Sequence, residues 1–179
     1  MKVIETPLVD ASVIKLDKYE DERGFFLESF NEQNFIKEIG HYDFVQDNHS
    51  KSSQGVLRGL HYQIEHPQGK LMRCTQGKIW DVIVDLRKSS ETFGLSFNTM
   101  LDEPEIVMWV PPGFAHGFYT LTETAEVQYK TTDYYYPQHQ RSLLWSELDI
   151  LWPIAHDGSP ILSEKDAQGK TFEECEKYD

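Results

Sequence analysis

Short apolar runs separated by glycine, proline, asparagine and aspartate recur along this chain and constrain its fold more than any other feature. In the clearest run, residues 79–86, apolar side chains alternate with Asp81 and Asp85. This period of two predicts a half-buried strand, with Trp80 and the other even-numbered residues on one face and both acids on the other. Many short strands joined by turns favour a β-sandwich or a jelly roll. The sequence therefore predicts a mainly β fold.

The same pattern places further strands and two short helices. The other predicted strands are residues 13–16, 24–30, 44–47, 56–63, 70–75, 95–100, 106–110, 117–121 and 124–131. One helix is predicted at residues 31–39, and a second is predicted to begin at Ser163 and run into the acidic tail. Ser163 and Asp166 have capping-box spacing, which by itself accounts for Asp166. Because no repeat or linker interrupts the chain, residues 1–179 are predicted to form one domain.

Charge and cysteine content exclude several classes of partner. The formal net charge of −13 makes nucleic acid and anionic membranes poor partners, since an acidic surface repels both. An anionic substrate could bind only where the scarce cations converge on one pocket. Cys74 and Cys175 lack CxxC spacing, which indicates reduced thiols.

The N-terminal residues carry acids and a proline where a secretion signal needs an apolar core, so we expect a cytoplasmic protein.

A single histidine lies inside the predicted strand 56–63. Alternation places His61 on the same face as Gly59 and opposite Arg58. If that face lines the interior, the imidazole lies in a pocket, near its neutral and basic form. A lone histidine in a strand is more often a satisfied structural residue, so the pattern leaves both interpretations open.

Residues 111–116 have the Pro-x-Gly-x-x-His spacing that forms half of the metal-binding signature of cupin barrels. The other half needs two closely spaced histidines followed by a glutamate, but after His61 the next imidazole is His66. Transition metals in such barrels require about three imidazole or carboxylate ligands. We therefore expect no metal, and His116 is either a substrate contact or a structural residue.

Two other segments are rich in functional side chains. Residues 21–28 have the pattern of a turn leading into an amphipathic strand, in which Arg23 points away from Phe26 unless Gly24 introduces a bulge. Residues 129–137 contain a tyrosine cluster. Tyrosines usually pack through their rings, although a phenol in a pocket can donate a proton.

Taken together, these motifs resemble those of the nucleotide-deoxysugar 3,5-epimerases, the dTDP-4-dehydrorhamnose 3,5-epimerase family. The resemblance extends over almost the whole chain, in the order DERGFFLE, QDNHS, GVLRGLHYQ, QGKLMRC, DVIVDLR, TFG, VPPGFAHGF, YKTTDYYYP and LSEKD. It implies a cofactor-independent isomerase that inverts C3 and C5 of a nucleotide-linked 4-keto-6-deoxy sugar. The implied fold is a cupin-like jelly-roll barrel with a few short helices. The implied assembly is a homodimer that exchanges an N-terminal strand, with a short C-terminal helical tail on each chain.

The resemblance also assigns roles to individual residues. It makes His61 the base, supported by Asp166, and Tyr129 the acid on the opposite face of the sugar. It places Lys70 near the 4-keto oxygen. Positions that match substrate contacts of the family are Arg23, Phe26, Glu28, Gln46, Asn48, Arg58, His116, Tyr135 and Lys165.

Epimerisation at the carbons next to a ketone requires residues of these types. A ketone at C4 acidifies the hydrogens on C3 and C5, so inversion needs a base, an acid and a charge that holds the enolate oxygen. Guanidinium groups suit the diphosphate. Four alternatives remain open: an epimerase acting at C3 or C5 only, a sugar isomerase that moves the keto group, a metal-binding cupin, and a non-catalytic sugar-binding barrel.

Overall fold

The computed structural model describes residues 1–154 and 158–179, which form thirteen strands, two α-helices and one turn of 3-10 helix at Pro137–His139. The strands are β1 Lys2–Glu5, β2 Ser12–Lys15, β3 Lys18–Asp21, β4 Gly24–Leu27, β5 Gln46–Ser53, β6 Leu57–Gln63, β7 Lys70–Gln76, β8 Ile79–Asp85, β9 Ser96–Leu101, β10 Ile106–Val110, β11 Phe114–Thr120, β12 Thr124–Thr131 and β13 Gln140–Ser142. The helices are α1 Glu32–Glu38 and α2 Glu164–Ala167.

Two antiparallel sheets pack against each other. One sheet has the order β1-β2-β10-β7-β12-β5, the other has the order β13-β6-β11-β8-β9, and β3 and β4 form a separate hairpin. Buried apolar side chains from both sheets, among them Met72, Met108, Ile83 and Phe114, form the core between them. The predicted mainly β, cupin-like jelly roll with short helices is confirmed, and its two sheets stay separate instead of closing into one hydrogen-bonded barrel.

Strand β8 is buried on both faces, so the prediction of a half-buried strand is wrong. Ile83 packs in the core between the sheets, whereas Val82 packs on the other face in a cluster that includes Cys175. The C-terminal segment covers this outer face, which alternation along one strand cannot reveal. Asp81 and Asp85 are consequently only 1% and 0% exposed. Each buried carboxylate requires a partner inside the protein.

A β-bulge in β6 changes which side chains share a face. His116 on β11 pairs with His61, but Phe118 pairs with Arg58, so β6 carries one extra residue between the two pairs. Gly59 lies in this interval with φ of 129°, and a Cβ there would approach the backbone of β11 to 2.4 Å. The bulge turns Arg58 and His61 to the same pocket, which corrects their predicted opposite faces. A glycine inside a strand pattern is the signal for such a bulge.

The two helices begin where the sequence predicts. In α1 the Asn31 side chain accepts a hydrogen bond from the Asn34 backbone, as an N-cap should. Helix α2 begins after Ser163 but has only four residues, so the prediction that it runs into the tail is wrong. The tail instead folds back beside β8, where the Tyr178 backbone N–H donates to the Leu86 carbonyl. In the ranges described, neither helix has the length and apolarity needed to cross a membrane.

The remaining differences concern polar strands. The predicted strand 44–47 begins at Gln46 and continues to Ser53. The sequence does not predict strands β1, β3 and β13, because edge strands of three or four residues are too short to show the apolar alternation on which the prediction depends. The predicted strand 24–30 ends at Leu27.

Candidate active site

A cavity of about 300 Å³ opens beside α2, at one end of the space between the sheets. Eight of the predicted site residues line it: Arg58, His61, Lys70, His116, Tyr129, Tyr135, Lys165 and Asp166. They come from strands of both sheets, from α2 and from the segment after β12. The fold therefore brings residues that are far apart in the sequence into one pocket.

His61 and Asp166 form a close pair. The His61 Nε2 atom lies 2.5 Å from Asp166 Oδ1, which also accepts the Gly59 backbone N–H at 3.3 Å. Burial raises the pKa of Asp166, but hydrogen bonds from His61 and Ser163 outweigh that effect and hold the pKa below its ordinary value. The carboxylate is therefore ionised at neutral pH and can stabilise a positive charge on the imidazole.

The capping box at α2 is only half formed. The Ser163 Oγ atom accepts the Asp166 backbone N–H at 3.2 Å, as an N-cap does. In a complete box the Asp166 carboxylate would accept the Ser163 backbone N–H. Here it accepts the Ser163 hydroxyl at 2.7 Å and turns its other oxygen to His61. Helix capping alone therefore does not account for Asp166.

Lys70 is buried in the wall of the pocket. Its Nζ atom donates to the His61 carbonyl oxygen at 3.2 Å, and within the described part of the chain Lys70 makes no ion pair. Burial lowers the pKa of Lys70 to about 8, while the charge of Asp81 acts in the opposite direction. The group is therefore mostly an ammonium at neutral pH and is available to an oxyanion in the pocket.

Arg58 and Lys165 bring two more cations to the pocket. Arg58 donates to Ser52 Oγ at 2.9 Å, and the Lys165 ammonium donates to Gln140 Oε1. Neither side chain has a carboxylate partner among the residues described. In a chain with a net charge of −13, three such cations around one cavity favour an anionic ligand.

Tyr129 extends from β12 into the same cavity. Burial raises the pKa of its phenol, against a smaller opposite effect of Arg58. The hydroxyl has no hydrogen-bond partner in residues 1–154 and 158–179. Tyr129 therefore stays protonated and has a proton to donate.

His116 is bound to Asp81, an acid that the sequence places on a solvent face. The His116 Nε2 atom lies 2.7 Å from Asp81 Oδ1, and both side chains are buried. Burial lowers the pKa of His116, although Asp81 acts in the opposite direction. The two interpretations left open for His116 are therefore compatible, because it lines the cavity and also makes a buried hydrogen bond.

Five predicted residues do not line the cavity. Arg23 lies in the turn before Gly24, where its side chain is 85% exposed and paired with Asp21, and Phe26 is 70% exposed on the same hairpin. Glu28 follows that hairpin. The other two residues, Gln46 and Asn48, lie on β5, where their side chains are joined by a hydrogen bond of 2.9 Å.

The cavity is also lined by six polar residues that the sequence does not predict as site residues: Ser50, Tyr62, Gln63, Gln68, Gln140 and Ser163. Gln140 accepts the Tyr135 hydroxyl at 2.6 Å on the oxygen that also contacts Lys165. It lies on β13, which carries no apolar pattern, so no sequence signal points to it. Within the described ranges, no three His, Cys, Asp or Glu side chains are grouped as metal ligands.

Comparison with known proteins agrees with this geometry. The family model described as dTDP-4-dehydrorhamnose 3,5-epimerase matches residues 5–174. The dTDP-4-dehydrorhamnose 3,5-epimerase of Pseudomonas aeruginosa is 49% identical over 182 residues, with 99% of each chain covered.

Solved structures give the same result. The dTDP-6-deoxy-D-glucose-3,5-epimerase of Legionella pneumophila, in complex with dTDP-4-keto-L-rhamnose, is 42% identical with a TM-score of 0.94, over 98% of this chain and 94% of that chain. A 3'-monoepimerase of Streptomyces bikiniensis, in complex with dTDP-quinovose, is 31% identical with a TM-score of 0.86, over 93% of this chain and 85% of that chain. In sequence and in fold, this chain belongs to the dTDP-4-dehydrorhamnose 3,5-epimerase family.

Proposed function

We propose that this chain inverts C3 and C5 of a dTDP-linked 4-keto-6-deoxy sugar, with His61 as general base and Tyr129 as general acid. Family membership makes it an isomerase of this class. The observation that supports the residue roles is the meeting of the His61–Asp166 pair, the Lys70 ammonium and the Tyr129 phenol in one cavity.

His61 removes the proton next to the ketone. Because Asp166 binds Nε2, the Nδ1 atom of His61 carries the lone pair that accepts the proton. The imidazolium that forms is stabilised by the ionised carboxylate of Asp166. The electrons of the C–H bond move to the 4-keto oxygen and give an enolate.

Lys70 and Tyr129 complete the inversion. The Lys70 ammonium stabilises the enolate oxygen, an interaction that is stronger in the transition state than in the ground state. Tyr129 donates its proton to the same carbon from the opposite face. The imidazolium of His61 then releases its proton to solvent and the phenolate of Tyr129 takes one up, which restores both groups. The same proton transfers follow at the second carbon. Arg58, Lys165 and His116 suit the diphosphate and sugar, since guanidinium and ammonium groups bind phosphate oxygens.

The configuration of the product tests this function. We expect dTDP-4-keto-6-deoxyglucose to be converted to a product inverted at both C3 and C5, assigned from proton coupling constants. Inversion at C3 alone would instead make the chain a monoepimerase, the activity named for the Streptomyces bikiniensis relative. Binding without inversion would leave a sugar-binding barrel.

We further propose a homodimer in which the hairpin of each chain completes the pocket of its partner. Arg23, Phe26 and Glu28 lie away from their own cavity, and the hairpin exposes Tyr19, Phe25 and Phe26. Exposed aromatic side chains on a separate hairpin are typical of an interface. Exchange of an N-terminal strand, and a cytoplasmic location, stay predictions.

Mixing two inactive variants tests this arrangement. Arg23→Ala and His61→Ala chains, denatured and refolded together, are expected to regain activity, because each mixed dimer contains one pocket with both residues intact. Random pairing predicts roughly a quarter of the wild-type activity. If Arg23 serves the pocket of its own chain, the mixture stays as inactive as its components.

Asp166→Asn is expected to lower turnover by about 10²-fold or more, because the imidazolium loses its counter-charge. Its effect on the melting temperature should be small, since Ser163 can still cap α2. Ser163→Ala is the matched variant. It should cost about 0.5–2 kcal/mol of stability and lower turnover far less. If Asp166→Asn lowers the melting temperature but keeps turnover within a few-fold of wild type, Asp166 is only a cap.

We also expect turnover to be indifferent to chelators. His61 and His116 are each bound to a carboxylate, and Pro-x-Gly-x-x-His lacks its second cupin half. Dialysis against EDTA, followed by an assay with and without added divalent metal, measures this. Activity that is lost and then restored by one metal would contradict the prediction.

A further inference from the structure

A second histidine–aspartate pair lies directly beside the first, with its histidine in the pocket. His116 and His61 are cross-strand partners on β11 and β6, and each imidazole is bound to its own carboxylate. The proposed mechanism uses the His61–Asp166 pair but gives no role to Asp81. An ionisable group with 1% exposure that is bound to a residue of the reaction pocket, His116, calls for a physical explanation.

The charges around Asp81 do not balance in pairs. His116 is the hydrogen-bond partner of Asp81. Because burial favours the neutral form of His116, this histidine does not compensate the negative charge of Asp81. Lys70 has the opposite imbalance, since its ammonium is buried and its one hydrogen bond among the described residues is to a neutral carbonyl oxygen. A buried lone charge of either sign is unfavourable, and opposite buried charges relieve each other. Lys70 and Asp81 do not touch, but each is hydrogen-bonded to one member of the cross-strand pair His61 and His116.

The cavity around Lys70 contains further charged and titratable groups: Arg58, His61 and Tyr62 on β6, His116 on β11, Tyr129 on β12, Tyr135 in the segment after β12, and Lys165 and Asp166 on α2. Asp81 on β8 reaches this group through its hydrogen bond with His116. Asp166 is committed to His61 and Ser163. Asp81 is therefore the carboxylate left to compensate Lys70.

We propose that Asp81 is the counterion of the Lys70 ammonium, held in place by His116, and that it keeps Lys70 protonated inside the pocket. Asp81 is then a positioning residue that acts through Lys70. The consequence for turnover rests on the proposed role of Lys70 at the enolate oxygen. The predicted effect of Asp81 on the ionisation of Lys70 does not depend on that role.

Asp81→Asn tests the proposal, because asparagine keeps the shape and an oxygen that can accept from His116 but removes the charge. The ionisation of Lys70 is measured by NMR in protein labelled at lysine Cε, with the signal assigned from Lys70→Met. We expect the Lys70 pKa, about 8 in the wild type, to fall by about one unit or more in Asp81→Asn. A Lys70 signal that titrates at the wild-type pH would overturn the proposal.

Asp85→Asn is the matched control. Asp85 is equally buried on the same strand, but Arg87 binds it at 2.8 Å, and unlike Asp81 it has no hydrogen bond to the side chain of a cavity residue. The Lys70 titration should be unchanged in this variant. An equal shift in both variants would mean that any buried acid on β8 has the effect, which would also overturn the assignment.

The pH profile of turnover separates this inference from the proposed function. If Lys70 must be an ammonium, turnover falls as pH rises through its pKa, and Asp81→Asn moves that fall to lower pH. A uniform loss at every pH, with the Lys70 signal unshifted, would mark Asp81 as merely structural. A shifted signal with an unshifted turnover profile would support the counterion and contradict the role of Lys70 at the enolate.

A double variant covers the case in which Asp81→Asn is too unstable for the NMR titration. Lys70→Met/Asp81→Asn removes both buried charges and is expected to melt at a higher temperature than Asp81→Asn alone. If the double variant is no more stable than the single one, the two charges do not compensate each other and the proposal is wrong.

Discussion

His61→Ala is expected to abolish exchange of solvent deuterium at both C3 and C5 while the fold survives. In the proposed mechanism the imidazole is the base that removes the proton from the substrate carbon, so its loss should lower the exchange rate by about 10²–10⁴-fold or more. The side chain is partly exposed in the cavity and contributes no packing to the core clusters, so the melting temperature should change little. Proton NMR of the substrate in deuterium oxide measures both rates.

His41→Ala is the control for this variant. His41 is an exposed histidine that does not line the cavity, so both exchange rates should match the wild type. Near wild-type exchange in His61→Ala would remove His61 from the mechanism. Loss of exchange in both variants would point to a general effect on the protein.

Tyr129→Phe is expected to separate proton removal from inversion. His61 can still remove the proton and return a deuteron to the same face, so label should enter the substrate. Without the phenol, delivery to the opposite face should slow by about 10²–10⁴-fold. The measurement compares deuterium incorporation with formation of the inverted product in the same sample.

Tyr134→Phe provides the matched control, since Tyr134 is an exposed member of the same tyrosine cluster. It should leave incorporation and inversion unchanged. If Tyr129→Phe inverts the sugar at the wild-type rate, another group is the acid. If it stops incorporation as well as inversion, Tyr129 acts before or together with the base.

The sequence predicts the fold where apolar alternation is strong and fails where strands are polar. Residues 106–110 and 124–131 have the predicted bounds, whereas β5 is twice as long as predicted, at eight residues against four. All eight of its side chains are polar, and they alternate between half-buried or buried positions on one face and exposed positions on the other. A pattern based on burial in an apolar core cannot detect such a strand.

The candidate site follows from family resemblance more than from local pattern. His61 and Asp166 are more than 100 positions apart in the sequence, and no local pattern connects them. In the structure the His61 Nε2 atom lies 2.5 Å from Asp166 Oδ1. Arg58 shows the limit of strict alternation. Alternation predicts that Arg58 and His61 lie on opposite faces of β6, but the bulge at Gly59 brings both side chains to the same face. Asp81 shows the limit of polarity as a guide, since a buried acid on a strand looks identical in sequence to an exposed one.

The resemblance also cannot say which chain supplies a residue. Arg23, Phe26 and Glu28 match substrate contacts of the family, but the hairpin holds Arg23 and Phe26 exposed in the single chain. Sequence motifs record which residue types a site needs, whereas the chain that delivers them depends on assembly. The roles of these three residues stay predictions.

The most direct test of the double epimerase is proton NMR of dTDP-4-keto-6-deoxyglucose with the wild-type protein in deuterium oxide. We predict that the signals of the hydrogens on C3 and C5 both disappear as deuterium enters, and that the product is inverted at both carbons. Loss of the C3 signal alone would make the chain a monoepimerase. Retention of both signals in a protein that binds the nucleotide sugar would contradict epimerisation altogether.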